Sequence, residues 1–267
     1  MCLIERDLSE PDRIVGELLQ PGGVAALHSL GLGSCLEGID AVGVEGYCVI
    51  SDGRTVGIPY PALESFAGIT QEEPVLNDVS SKQDGTENNK LQKWHVNSGS
   101  GKKEGRSFHH GRLISALREK CRTDAPGLVM LEATVRDLVY CEHTDQVLGV
   151  SAAFKTAPTD PSSTSTSAPI VRNIYAPITI IADGCFSKFR TKSKRVPTPT
   201  TRSHFVGLVL KDVKLPMPRH GTVCLTPSGP VLLYQIADEA KETRMLVDVK
   251  GKLPSVGDGS LKVSFLV

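Results

Sequence analysis

Four short β-prone runs constrain this chain most: His204–Leu210, Thr222–Thr226, Val231–Ile236 and Met245–Val249. Each has the length of a single strand and is shorter than the roughly three-turn helix of globular proteins, and turn-forming residues separate them. Together they predict a mostly antiparallel sheet. Two more strands are predicted at Val44–Ile50 and Thr55–Tyr60. Between them lies Ser51-Asp52-Gly53-Arg54, and an Asp-Gly pair supplies the positive φ that a tight hairpin requires.

Elsewhere strands mix with a few helices. Cys2–Glu5 reads as the end of an apolar strand, Leu128–Tyr140 and Gln146–Phe154 as β-rich stretches, and Ile174–Ala182 as a buried strand turning into a helix start after Asp183-Gly184. Val24, Leu27, Leu30 and Leu32 keep helical spacing behind Pro21-Gly22-Gly23, until Gly31 and Gly33 stop it. Leu113, Ile114, Leu117 and Cys121 recur in the same way, so residues 110–122 are expected to form an amphipathic helix whose basic end suits the helix dipole. Two polar tracts interrupt the pattern. Residues 70–104 and the Pro/Ser/Thr-rich stretch 156–168 are too polar to offset their ordering entropy by burial, and both are expected to be flexible insertions. The fold class is therefore α/β.

Composition excludes several classes. At 267 residues and 40% hydrophobic, the chain is long enough for one large or two small domains and can bury a core. Thirty basic against thirty acidic residues leave no net field for polyanions, so nucleic acid is not an expected partner. The apolar stretches fall short of the roughly 20 residues of a membrane-spanning helix, and the opening MCLIERDLSE is not a secretion signal. Seven dispersed cysteines with no CxxC pair fit a reducing compartment, and neither they nor His109-His110 have the spacing of a metal site, so none is expected.

Two glycine motifs lead nowhere. Gly99-Ser100-Gly101-Lys102-Lys103 lacks the hydroxyl residue and the preceding strand of a phosphate loop. Gly31-Leu32-Gly33 has Leu36 where a dinucleotide loop needs its third glycine. The basic run Arg190, Lys192, Lys194, Arg195 reads as solvated surface.

Three separated pieces make chemical sense together: Glu5 at a strand end, Arg112 on a helix, and Asp183-Gly184 after a strand. A carboxylate at such a strand end accepts hydrogen bonds from the adenosine ribose in dinucleotide folds. The wording around these pieces resembles the squalene epoxidase (squalene monooxygenase) family, which shares the FAD-binding fold of p-hydroxybenzoate hydroxylase. The resemblance rests on residues 4–23 (IERDLSEPDRIVGELLQPGG), 107–112 (SFHHGR), 176–190 (APITIIADGCFSKFR), 203–207 (SHFVG), 230–236 (PVLLYQI) and 246–249 (LVDV), and spans about residues 3–255.

The resemblance implies a fold that is an incomplete FAD-binding unit of that type, joined to a mostly antiparallel substrate-domain sheet. Residues 1–6, 107–155 and 170–195 would form the cofactor part. Residues 7–68 and 196–256 would form the substrate side, 69–106 and 156–169 the insertions, and 257–267 a tail outside the family. Glu5 and Arg6 would meet the FAD adenosine, Arg13 would lie beside the cofactor, Arg112 would contact it, Val135 would offer backbone to the adenine, and Asp183-Gly184 would lie near the ribityl and pyrophosphate. Tyr47 would order the catalytic site, and Gln20, Tyr47, Leu233 and Tyr234 would line the substrate pocket. The implied activity is FAD-dependent insertion of one oxygen of O2 into squalene, giving 2,3-oxidosqualene in sterol synthesis. Electrons would come from NADPH through NADPH–cytochrome P450 reductase, on the cytosolic face of the endoplasmic reticulum membrane.

In this family a glycine-rich phosphate loop precedes the position of Glu5, and a further Gly-Asp FAD motif and membrane helices follow the region matched here. Only four residues precede Glu5, and the likeness fades after Pro254. Lys262-Val263-Ser264 can be encoded as AAG-GTA-AGT, an intron donor, so the tail is expected to be unspliced intron and the chain to be a truncated, inactive form. The alternatives are a non-catalytic fragment that binds squalene or the full-length enzyme, and a related FAD hydroxylase of aromatic substrates.

Overall fold

The computed structural model describes residues 1–61, 103–155, 168–184, 186–189 and 200–251, with 253, 255 and 257. The expected insertions 70–104 and 156–168, the tail and the basic run 190–195 fall wholly or almost wholly outside them. The described contacts divide into two units, residues 1–11 with 118–201 and residues 12–117 with 202–267.

In the first unit, β1 (Cys2–Glu5) pairs in parallel with β7 (Val129–Glu132), Glu5 lying opposite Glu132. β8 (Thr134–Tyr140), β9 (Val147–Phe154) and β10 (Ile170–Tyr175) form an antiparallel sheet. The buried strand expected at Ile174–Ala182 is displaced: β10 ends at Tyr175, and Ile178 and Ile180 are exposed. The pairing ends at Ala176, whose N–H still reaches the Leu148 carbonyl, because the ring of Pro177 fixes φ at about −65°, far from the roughly −140° of an antiparallel strand. Instead of a helix start, residues 186–189 make turns, with the Ser187 N–H donating to the Gly184 carbonyl.

The second unit contains the expected sheet. Its strands β4 (Gly46–Ser51), β5 (Arg54–Pro59), β11 (His204–Lys211), β12 (His220–Thr226), β13 (Gly229–Ala237) and β14 (Glu242–Val249) lie in the order β11-β14-β13-β12-β4-β5. All neighbours are antiparallel except β12 and β4. Asp52 (φ 47°) and Gly53 (φ 74°) turn the β4–β5 hairpin, as their sequence predicts. Three strands of two or three residues, β2 (Leu18–Leu19), β3 (Val42–Val44) and β6 (Gly105–Ser107), add a small second sheet.

Helix α1 (Pro21–Ser29) carries the expected Val24 and Leu27 and is followed, after Leu30, by Gly31, where φ is 73°. Its buried side packs with Cys35, Leu36, Ile39, Phe108 and Leu113 into one apolar core. Helix α2 (His110–Asp124) matches the predicted amphipathic stretch and gives Leu113 to that core. Among the described residues no helix is long and apolar enough to cross a membrane.

Candidate functional site

The strand register of the second unit builds a wall of side chains. Because alternate residues of a strand face opposite sides, residues paired across neighbouring strands share a face. Tyr47 pairs with Ile58 and with Gly221, and Tyr234 pairs with Arg244. Since Thr222 pairs with Leu233, Gly221 stands opposite Tyr234, so Tyr47, Gly221, Tyr234 and Arg244 form one row.

The stretch before α1 crosses this face. Ile14 lies where a side chain on Gly207 would stand, and the Leu18 Cδ1 and the Tyr47 ring lie 3.4 and 3.2 Å from the position of a Cβ on Gly221. Gln20 donates through Nε2 to the Tyr47 hydroxyl, and Tyr60 packs edge-on against Tyr47 with ring centroids 5.9 Å apart. The Tyr60 hydroxyl is buried there without a hydrogen bond, and burial first, then Tyr47, pushes its pKa far up.

Glu17 is the most buried acid of this face, 2% exposed, and Arg244 is 6% exposed. Arg244 donates from Nε and Nη2 to the two Glu17 oxygens, both at 2.7 Å, and the Tyr234 hydroxyl donates to Oε2 at 3.2 Å. That bidentate bond raises the Arg244 pKa against the opposing effect of its burial. Burial, then the Glu17 charge, raises that of Tyr234. Beside Tyr234 is a small recess lined by Val42, Val44, Leu215, Arg219 and His220.

The register separates one expected pair. Leu233 pairs with Thr222 and Met245, on the face opposite Tyr234, while Leu232 shares the Tyr234 face. Gln20, Tyr47 and Tyr234 are thus brought to one face and Leu233 is not. Arg112, expected at the cofactor, gives its Nη1 to the Ile39 carbonyl and to Asp40 Oδ2, each at 3.3 Å. Asp40 in turn accepts the N–H groups of Asp238, Glu239 and Ala240, so it ties α2 to the β13–β14 turn. Arg13 is exposed.

In the first unit the expected cofactor residues lie on strand ends and turns. Glu5 closes β1, its Oε1 accepting the Arg6 N–H at 2.8 Å and its Oε2 lying 3.4 Å from Arg118 Nη2. Arg118 also donates to the Ser9 and Asp7 carbonyls, shaping the loop after β1. Val135 sits where the β8–β9 register shifts, beside Arg136, whose carbonyl accepts Lys188 Nζ. Asp183 is exposed, and Gly184 has φ 84° with open space where a Cβ would stand.

Among the described residues no group of three or more His, Cys, Asp or Glu side chains could hold a metal. His109, one of the paired histidines, instead meets Glu242 at 2.8 Å.

Several of these residues carry no signal in the sequence. Glu17 and Arg244 are 227 positions apart, and Gly221 looks like any strand glycine until its neighbours are known.

Residues 175–266 match the squalene epoxidase family model, a span that includes 257–266 of the stretch set apart as a tail. The chain is 43% identical to the squalene epoxidase erg1 of Aspergillus fumigatus, over 98% of this chain and 45% of that protein. It is 39% identical to squalene epoxidase 3 of Arabidopsis thaliana (97% and 40%) and 38% identical to squalene monooxygenase of Mus musculus (95% and 36%). The chain therefore spans less than half the length of these relatives.

Among solved structures, p-nitrophenol 4-monooxygenase PnpA of Pseudomonas putida aligns over 98% of this chain and 54% of its own, at 13% identity and TM-score 0.66. PqsL of Pseudomonas aeruginosa, a probable FAD-dependent monooxygenase, aligns over 93% and 53%, at 13% identity and TM-score 0.56. These likenesses bear out a mixed α/β fold of the p-hydroxybenzoate hydroxylase type, and along nearly all of its length the chain is similar in sequence to squalene epoxidases.

Proposed function

We propose that this chain serves the FAD-dependent insertion of one oxygen of O2 into squalene, giving 2,3-oxidosqualene in sterol synthesis. NADPH–cytochrome P450 reductase would supply the electrons and the cytosolic face of the endoplasmic reticulum membrane the setting. The observation that carries the substrate side is the row Tyr47, Gly221, Tyr234, with Gln20 on the Tyr47 hydroxyl. Squalene has no hydrogen-bonding group, so its site needs apolar area and aromatic rings whose hydroxyls are already engaged. The Tyr234 hydroxyl donates to Glu17, and the Tyr47 hydroxyl oxygen accepts from Gln20. Gln20, Tyr47 and Tyr234 are assigned to this wall, with Leu232 in place of Leu233, and Tyr47 orders the reacting end of the alkene.

FAD, when bound, supplies the activation of O2. The residues of the first unit suit its chemistry. Glu5 presents a carboxylate at the end of a parallel strand, the place from which ribose hydroxyls are held. Gly184 has a positive φ and an open flank, which lets main chain approach a phosphate or ribityl group. Arg6, Asp183 and the Val135 backbone complete that set. The resemblance also gives Arg13 and Arg112 to the cofactor; both belong to the second unit, where Arg112 engages Nη1 with Asp40 and Ile39. The resemblance assigns residues 1–6, 107–155 and 170–195 to the cofactor side and 7–68 with 196–256 to the substrate side, whereas the described contacts divide the chain after residues 11 and 117.

The test is a graft. Residues 3–255 replace the matching segment of the Aspergillus fumigatus relative, and the purified hybrid is assayed for retained flavin absorbance and for 2,3-oxidosqualene. The expected hybrid is yellow and active, and Tyr47→Ala or Tyr234→Ala in it raises KM for squalene. A folded hybrid that retains flavin but leaves squalene unchanged would overturn the proposal.

A further inference from the structure

We infer that Glu17 is a positioning residue for Tyr234: clamped by Arg244, its carboxylate fixes the phenol on the face proposed to receive the hydrocarbon. The inference rests on that reading of the face. A buried ion pair is a poor device for stability alone, because desolvating two charges offsets most of their attraction and an apolar pair of equal volume serves as well. What the charged pair supplies is direction. The guanidinium fork, bonded at 2.7 Å to each oxygen, leaves the carboxylate a single orientation, and Oε2 lies 3.2 Å from the Tyr234 hydroxyl.

A phenol next to a carboxylate must donate to it, so the hydroxyl hydrogen of Tyr234 points at Glu17. A free phenol would instead offer that hydrogen to water and hold the water at the face proposed for the hydrocarbon. With the hydrogen engaged, the ring presents its apolar face to a hydrocarbon chain. The Phe108 N–H, donating to the Glu17 carbonyl at 2.9 Å, holds the backbone under the same carboxylate. The elements around Tyr234 thus fix its hydroxyl from β14 and from the segment before β2.

The experiment uses the chain with Glu17→Gln, Tyr234→Phe and the double substitution, and has two readouts. The first is affinity for squalene delivered in detergent micelles. The second, independent of squalene, is the Tyr234 ring signal in protein carrying 13C-labelled tyrosine, assigned by its loss in Tyr234→Phe. Glu17→Gln is expected to weaken squalene binding about tenfold, the worth of one hydrogen bond to a charged group, and to move the Tyr234 signal. Because both residues act through one contact, the double variant is expected to bind no worse than either single one. An unmoved Tyr234 signal, or single effects that add in the double variant, would overturn the inference. Should the wild-type chain ignore squalene while the ring signal still moves, the substrate reading falls and the positioning role stands. If Glu17→Gln does not fold, Arg244→Lys keeps the cation but loses the fork, and the same comparison, made with and without Tyr234→Phe, decides.

Discussion

In the unit built on the six-stranded sheet, Gln20, Tyr47, Glu17 and Tyr234 each hold or are held by another side chain. In the unit of β1 and β7–β10, Arg6, Asp183 and Gly184 occupy exposed ends and turns, and the Glu5 side chain is 42% exposed. The first arrangement suits a wall whose shape must not depend on its ligand. The second suits groups that contribute when a polar ligand brings its own hydrogen-bonding partners. Two carboxylates sharpen the contrast, since each faces an arginine: Glu17 in the interior, Glu5 at the surface.

The largest expected effect separates them. Glu17→Ala leaves Arg244 a buried cation without its partner, which costs about 3–5 kcal/mol. At a few degrees per kcal/mol for a chain of this size, the melting temperature of that unit falls by roughly 10 °C in calorimetry. Glu5→Ala removes a half-exposed contact to Arg118 and costs less than about 1 kcal/mol. Equal losses for the two variants would break the comparison.

The next effect reads the same sheet through pH. Burial pushes the Asp40 carboxyl up, but the N–H groups of Glu239, Asp238 and Ala240 and the Arg112 guanidinium together outweigh it and hold the pKa below the ordinary 3.8. A carboxyl lowered on folding stabilises the protein fully above its unfolded value, and that contribution is lost as pH falls through the folded value. Unfolding followed in urea between pH 5 and pH 2 therefore shows stability declining below about pH 4. Asp40→Asn, which keeps the shape and loses the charge, lowers stability by about 2 kcal/mol at pH 6 and flattens the decline. A decline as steep in Asp40→Asn as in the parent would assign it to other carboxylates, of which the exposed Asp7, Asp124 and Glu132, also lowered on folding, are candidates.

How far the sequence discloses all this follows from how local each signal is. The Asp52-Gly53 hairpin and helix α2 are legible because a turn preference and a 3.6-residue period act within a dozen residues. The strand expected at Ile174–Ala182 stops at Tyr175, just ahead of Pro177, whose ring-fixed φ departs from an antiparallel strand while the apolar run around it still reads as β. β2, β3 and β6 are two or three residues long and too short to show any period. At the site, family wording points to Tyr47, Gln20 and Tyr234, but their common face, with Leu233 on the other, comes only from the β4–β12–β13 register. Glu17 and Arg244 resemble ordinary surface charges until pairing across the chain buries them.

Gly221 gives the smallest and sharpest test of that register. A Cβ there would stand 3.2 Å from both Cδ1 and Cε1 of Tyr47, closer than ordinary contact, so the ring must yield a few tenths of an ångström. It has little freedom to do so, with Gln20 on its hydroxyl and Tyr60 against its edge. Replacing a strand glycine by alanine normally adds stability by restricting the unfolded chain, on the order of 0.4–1 kcal/mol. Here crowding opposes that gain, and Gly221→Ala is expected to cost about 1 kcal/mol net in chemical denaturation. With the ring removed in Tyr47→Ala, the same Gly221→Ala change is expected to become neutral or stabilising. The sign reversal belongs to the Tyr47–Gly221 contact alone, so a cost that persists without the ring would mean that the glycine is needed for its backbone and that no aromatic wall leans across it.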